Sequence, residues 1–247
     1  MSKEEQMNET RINHELSNEQ TGLELSRIVF IGRTFDEYLS MFDLTKQDLI
    51  GRRILDCPAG ACSFTAVANT LGAQVTATDI AYYHPFAQLA EKGLADIEHT
   101  MLHMEKVQSN YVWDYFQSVA DLKKHRSQAL ADCAHDMQQF PERYIAATLP
   151  RLPFEENAFD LTLSAHFLFM YSDRLDYEFH LQTVQELLRV TRQELRIFPL
   201  VDLSCRRYQH LDELIEYIEN AGYQTEEVTV SYEFQKGANT MLRIYKD

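Results

Sequence analysis

Two aspartates 23 residues apart, Asp56 and Asp79, flank a turn with one glycine, Gly60, in a pattern suited to a nucleotide-like ligand. Asp56 closes the apolar run "ILD" and opens the turn "CPAGACSF", whereas Asp79 closes the run "AQVTATD". In nucleotide-binding α/β folds, a carboxylate at the end of the second strand accepts hydrogen bonds from ribose hydroxyls. A glycine in the first turn lets the backbone come close to the ligand, because no Cβ stands in the way. The helix that follows offers free N–H groups and the positive end of its dipole. Together the two acids and the turn predict an adenosine-type cofactor.

Other residues compete for chemical roles. His166 in "AHFLFMYSDR" has an intrinsic pKa near neutrality and is a candidate general base; Tyr171 is a candidate to orient an acceptor by a hydrogen bond. The competing readings are packing beside the cofactor for His166 and a loop cap for Tyr171. Cys57 and Cys62 flank the turn, but a zinc site needs about four ligands and no second pair lies nearby, so they read as small buried turn residues. His99 and His103 share one helix face at i, i+4, where a solvated face is the default and no metal is expected. Met101, Met104, Trp113, Tyr115 and Phe116 read either as core or as the lining of an apolar acceptor pocket.

These residues must be held by regular elements. Phe35, Tyr38, Leu39 and Phe42 recur at helical spacing. "RRILDC" reads as a buried strand; Phe64, Val67, Ala68 and Leu71 mark a helix that Gly72 ends; "AQVTATDI" is a second strand. Strand, turn, helix and strand within about 30 residues make a βαβ unit with parallel strands. "YIAA", "FDLTLS" and "ELRIFPL" are further strands. Leu181, Val184 and Leu188 mark one later helix. Leu211, Leu214, Ile215 and Ile218, closed by Gly222, mark another. "EEVTVSYEF" and "TMLRIY" read as two β segments joined by a turn at Gly237. Sixty-four residues separate Asp79 from Tyr144, where a crossover helix needs roughly 12 to 20. Residues 84–141 are therefore a helical insertion, with Leu94, Ile97, Met101 and Met104 on one helix and Val112, Phe116 and Val119 on another. The insertion is either a cap over the site or a structural elaboration offering a surface for self-association. Residues 1–24 read as a polar tail or peripheral helix, and residues 25–247 as the domain.

Composition narrows the function. Twenty-three basic against 38 acidic residues give a formal charge of −15, which argues against nucleic acid as partner. Apolar stretches stay short of the ~20 residues of a membrane span, and the first residues lack the apolar core of a signal peptide. Four scattered cysteines do not make a disulfide scaffold. Cytoplasmic localisation, no membrane association and a small-molecule partner are the expectations.

A dinucleotide fingerprint needs glycine at positions 58, 60 and 63, where the chain has Pro58, Gly60 and Ser63, and a G-x-x-x-x-G-K-[ST] loop is absent. S-adenosylmethionine brings no pyrophosphate, and Asp56 would face its ammonium, whereas the same carboxylate would repel a diphosphate. The segments "ILDCPAGACSF", "VTATDIA", "YIAATLPRLPFEENAFDLTLSAHFLFMY" and "ELLRV" resemble the class I S-adenosylmethionine-dependent methyltransferases, over roughly residues 50–247 apart from the insertion. The resemblance implies an α/β, Rossmann-like methyltransferase fold: a seven-stranded, mostly parallel sheet with an antiparallel last strand and helices on both faces. It implies S-adenosylmethionine as cofactor and methyl transfer to a small acceptor. The implied cofactor contacts are Asp56, Cys57, Ala59, Gly60, Asp79, Ile80, Thr148 and Leu149, with Ser164 and Ala165 bordering the methionine portion. The chain departs from the family pattern at Pro58 and Cys62, at Thr148 in place of an acid, and at "TRQE" before the fifth strand. Two alternatives stand beside this reading: a non-catalytic binding or interaction protein of the same fold, and an NAD(P)-dependent oxidoreductase.

Overall fold

The computed structural model describes residues 29–246, so the expected tail at 1–24 lies outside the described residues. The chain opens with a short helix, α1 (Phe35–Met41), whose capping box pairs the Thr34 hydroxyl with the Glu37 N–H and the Glu37 carboxylate with the Thr34 N–H. The βαβ unit follows as β1 (Arg53–Asp56), α2 (Phe64–Thr70) and β2 (Gln74–Asp79). Gly72, with φ +93°, ends α2 in the left-handed conformation that glycine adopts without strain.

The insertion supplies α3 (Phe86–Met104) and α4 (Val119–Gln139). They pack closely where Gly93 meets Leu130: a Cβ on Gly93 would lie 2.7 Å from a Leu130 methyl. The remaining elements are β3 (Tyr144–Ala146), β4 (Phe159–Ala165), α5 (Tyr177–Val190), β5 (Thr191–Phe198), α6 (Leu211–Asn220), β6 (Gln224–Thr229) and β7 (Thr240–Tyr245).

The seven strands form one sheet in the order β3-β2-β1-β4-β5-β7-β6. β1 runs parallel to both β2 and β4, and β7 runs antiparallel to β5 and β6. This is the α/β, Rossmann-like methyltransferase sheet that the resemblance implies. Alternating side chains feed two cores, as the period of two in a strand requires. Ile54, Val75, Leu163 and Phe198 enter one with α1 and the insertion; Leu55, Leu195, Ile197 and Ile244 enter the other with α5 and α6.

Two local expectations are corrected. Val112 and Phe116 are not helical, and α4 begins only at Val119. The segment around Tyr111 pairs instead with the loop before β7: Tyr111 bridges Gln235, and the Val112 N–H donates to Phe234 O at 2.7 Å. Tyr111, Trp113 and Phe116 close on the Phe234 ring, with centroids 4.7, 5.4 and 4.8 Å away, and that aromatic burial outweighs the helical spacing. For the same reason β6 ends at Thr229, short of Phe234. The chain then leaves the sheet to bury Tyr232 and Phe234 against the insertion.

A buried ion pair ties three distant segments together. Arg126 of α4 donates to both oxygens of Glu37 on α1, at 2.9 and 2.6 Å, and the Tyr232 hydroxyl donates to Glu37 Oε1 at 2.8 Å. Burial pushes the Glu37 carboxyl up, but Arg126 outweighs it, and the net shift is below the ordinary carboxylate range.

Candidate functional site

In the strand order above, the direction of winding reverses between β1 and β4. Open α/β sheets bind ligands outside the carboxyl ends of their strands at such a switch point. The turn after β1 is pinned there by its own backbone. Cys57 N–H donates to Leu163 O at 2.9 Å, Ala59 N–H to Thr78 O at 3.0 Å, and Gly60 N–H to Asp79 Oδ2 at 2.9 Å. Gly60 sits at φ +55°, and its carbonyl accepts the Tyr82 hydroxyl at 2.8 Å. The Ala59 and Gly60 amides, part of the backbone expected to contact the cofactor, are thus spent inside the protein.

Asp79 is the hub of the turn. Its other oxygen accepts the Ala81 N–H at 2.8 Å, so it caps the turn Ile80–Tyr83. Burial raises its pKa against the two amide hydrogen bonds, which lower it. Each carboxylate oxygen keeps a second lone pair, and Asp79 faces the cavity, so it retains capacity for two hydroxyl donors.

The cavity measures about 320 Å³. Cys57, Ala59, Gly60, Asp79, Ile80, Thr148, Leu149, Ala165, His166 and Tyr171 all line it, so the fold brings most of the sequence-derived candidates to one place. Asp56 and Ser164 are not on its wall. Asp56 is fully buried beneath the turn; its Oδ1 accepts the Tyr38 hydroxyl at 3.0 Å and its Oδ2 has no partner among the described residues. Burial holds its pKa well above the ordinary range, with the nearby Asp79 charge adding to the rise. Ser164 is likewise buried with an unpartnered hydroxyl.

His166 stands at φ +52°, a strained conformation for a residue with a Cβ and one that recurs at functional sites. Its N–H donates to Phe198 O at 2.7 Å, and its ring Nδ1 is buried without a partner. Burial lowers its pKa well below 6.5, helped by Arg33 and Arg126, so the imidazole is neutral. Tyr171 is buried against the same cavity and its phenol is pushed upward by burial.

The insertion reaches the site: Thr100, Met101 and Met104 of α3 and Leu122 and Arg126 of α4 line the cavity. Phe116 is core, and Trp113 and Tyr115 pack beside it. His99 and His103 stay half-exposed on α3 with ring centroids 4.2 Å apart. Among the described residues, no group of three or more His, Cys, Asp or Glu is placed to hold a metal ion. Cys57, Cys62 and Cys133 are buried free thiols raised by burial, which disfavours the reactive thiolate. No helix of the described residues is long and apolar enough to cross a membrane.

One wall escaped the sequence reading. Val29, Ile31 and Arg33 run along the cavity as a strap over the first turn. Arg33 N–H donates to Cys62 Sγ at 3.2 Å, its carbonyl accepts the Ser63 N–H at 3.0 Å, and the Phe30 N–H donates to Asp96 of α3 at 2.8 Å. Gly32 is required there: a Cβ would lie 1.8 Å from Ala61 O. A glycine that ends an apolar run, in "VFIGRTF", is the one signal that could have marked this approach.

No protein-family model matches the chain. A curated relative, the uncharacterized protein MJ0045 of Methanocaldococcus jannaschii, is 34% identical over 223 residues, covering 90% of this chain and 98% of the relative. The chain belongs to the MJ0045 family. Among solved structures, this member is similar to magnesium protoporphyrin IX methyltransferase from Synechocystis PCC 6803 with bound SAM, at 12% identity and TM-score 0.48, covering 86% of this chain and 78% of that one. It is also similar to a TehB-like SAM-dependent methyltransferase from Corynebacterium glutamicum, at 16% identity and TM-score 0.45, covering 99% and 97%. At such low identity and TM-score these likenesses carry no argument, and the fold of this MJ0045-family protein is read from its strand order.

Proposed function

We propose that the protein is an S-adenosylmethionine-dependent methyltransferase acting on a small-molecule acceptor. One observation carries the reading. A cavity at the switch point of the sheet is lined by Asp79 together with four residues that each carry a buried polar atom without a partner among the described residues: Arg33 Nε, Thr78 Oγ1, Thr100 Oγ1 and His166 Nδ1. Buried polar atoms are ordinarily hydrogen-bonded, so orphans gathered around one cavity fit a polar ligand seated among apolar walls.

S-adenosylmethionine would supply an electrophilic methyl group on sulfur. Asp79 would accept from the ribose hydroxyls, and Ile80, Thr148 and Leu149 would flank the base. The insertion and the strap would enclose the acceptor and keep water from the methyl group. His166, neutral and with a ring nitrogen that has no partner among the described residues, would accept a hydrogen bond or a proton from the acceptor, and Tyr171 would orient it. Spending the Ala59 and Gly60 amides internally suits a ligand without a pyrophosphate, which disfavours a dinucleotide.

Isothermal titration with S-adenosylmethionine and S-adenosylhomocysteine tests the reading. Binding of S-adenosylhomocysteine below millimolar concentration is expected; absence of binding by both would sink it.

A further inference from the structure

Given the methyltransferase reading, we infer that Arg33 is an anion-binding residue for the acceptor, which is therefore an apolar, ring-sized molecule bearing a carboxylate or phosphate. Two arginines line the cavity, and they differ in one respect. Arg126 is neutralised by two hydrogen bonds to Glu37. Arg33 makes no ion pair among the described residues, and its Nε is buried without a partner.

Glu37 is not available to it. Its Oε1 takes Arg126 and the Tyr232 hydroxyl, and its Oε2 takes Arg126, the Thr34 N–H and the Thr34 hydroxyl. The cavity's own acid, Asp79, is held by the amides of Gly60 and Ala81 at the end of β2. A guanidinium at the wall of a largely apolar cavity with no carboxylate paired to it among the described residues is an expensive arrangement for the protein alone. It is also a fork of donors matched to a carboxylate or phosphate.

The backbone of Arg33 is fixed before any ligand arrives. Gly32 presses on Ala61, the Arg33 N–H is held by Cys62 Sγ, and the Arg33 carbonyl by Ser63. Tyr111, His166, Tyr171 and Cys62 on the cavity wall feel its charge, as do Tyr232 and Glu37 behind it, and Glu37 is the anion already bonded to Arg126. Tyr111 packs at a tilt against Phe234, ring centroids 4.7 Å apart, and bridges Gln235, so this part of the cavity wall is built by the insertion and the loop before β7. Those are the additions to the sheet, not the strand ends where Asp79 stands. Asp79 and Arg33 thus give the cavity one acceptor group for the ribose and one cationic group for an anionic acceptor.

Benzoate, phenyl phosphate and neutral benzamide serve as probes, titrated into the protein loaded with S-adenosylhomocysteine. Benzoate or phenyl phosphate should bind about tenfold or more tighter than benzamide. Arg33→Met should remove that preference and Arg33→Lys should restore part of it, with the melting midpoint confirming that each variant folds. S-adenosylhomocysteine affinity should change less than about threefold in either variant. Equal binding of benzoate, phenyl phosphate and benzamide by the wild type, or a preference that survives in Arg33→Met, would overturn the proposal. A loss of S-adenosylhomocysteine affinity in Arg33→Met with undiminished binding of 5′-methylthioadenosine, which lacks the amino-acid carboxylate, would overturn it too, by assigning Arg33 to the cofactor. If S-adenosylhomocysteine fails to bind the wild type, the methyltransferase reading falls, and the same three probes on unloaded protein still decide whether Arg33 holds an anion.

Discussion

Gly60 N–H donates to the Asp79 carboxylate at 2.9 Å, joining the turn after β1 to the end of β2 across 19 residues of sequence. The acid that would receive the ribose is thus also the acid that shapes the turn beneath it. Binding and loop structure are coupled through one side chain.

Asp79→Ala removes the acceptor for two backbone N–H groups and for the ribose at once. A stability loss of about 1–3 kcal/mol is expected from the unpaired donors. Asp79→Asn keeps one amide acceptor and should lose less stability. Both variants should weaken S-adenosylhomocysteine about tenfold or more, measured by calorimetry beside urea denaturation. Unchanged affinity in the alanine variant would refute the ribose role.

Asp56 offers a test by pH. Its folded pKa stands well above the ordinary 3.8, because burial penalises the carboxylate. The native state therefore binds the proton more tightly than the unfolded chain, and this contribution is complete below that ordinary value. It is lost as pH rises toward the folded pKa, at about 1.4 kcal/mol for each unit between the two. Asp56→Asn carries no such penalty. The difference in stability between Asp56→Asn and the wild type should shift in favour of the variant as pH rises from about 4 to 8, read from urea midpoints. A difference independent of pH would show that Asp56 is not held as an acid.

The Glu37–Arg126 pair locks the insertion to α1. Arg126→Met leaves the Glu37 charge buried and should cost about 3–5 kcal/mol, whereas the double variant Glu37→Gln with Arg126→Met should recover part of that loss. A double-mutant cycle by chemical denaturation measures the coupling. Additive single effects would show that the contact contributes nothing of its own.

Gly32 tests the strap. In Gly32→Ala the new methyl would meet Ala61 O, 1.8 Å away in the present backbone, so the strap must lift from the turn. Ligand affinity should fall by about tenfold or more while the sheet remains folded, since the strap lies outside it. Hydrogen exchange should show faster exchange at Arg33 and Ser63 than in the wild type. Wild-type affinity in this variant would mean that the strap does not close the site.

How much of this was legible in the sequence varies from residue to residue. Asp79 was readable because the alternation of "QVTATD" places it at a strand end, and the βαβ pattern puts that end beside the first turn. The places of Gly72 and Gly222 after their helices were readable for a similar reason, since both stand at positive φ where the helical spacing stops. The His166 conformation, the burial of Asp56 below the turn, and the internal use of the Ala59 and Gly60 amides were not, because each depends on what packs against the loop. Nor was the irregular path of residues 111–118, where contacts with Phe234 override helical spacing.

The sequence by itself determined the sheet, the position of its first turn, and the presence of a helical insertion, since these follow from spacings of two, three and four residues along the chain. Only the tertiary structure decided that the insertion and residues 29–33 enclose the cavity, that Glu37 finds Arg126 across 89 residues, and that the Arg33 guanidinium has no ion pair among the described residues. Periodicity records which face of an element is apolar. It carries no record of which distant side chains meet when loops close, because that is set by packing and charge neutralisation over the whole fold.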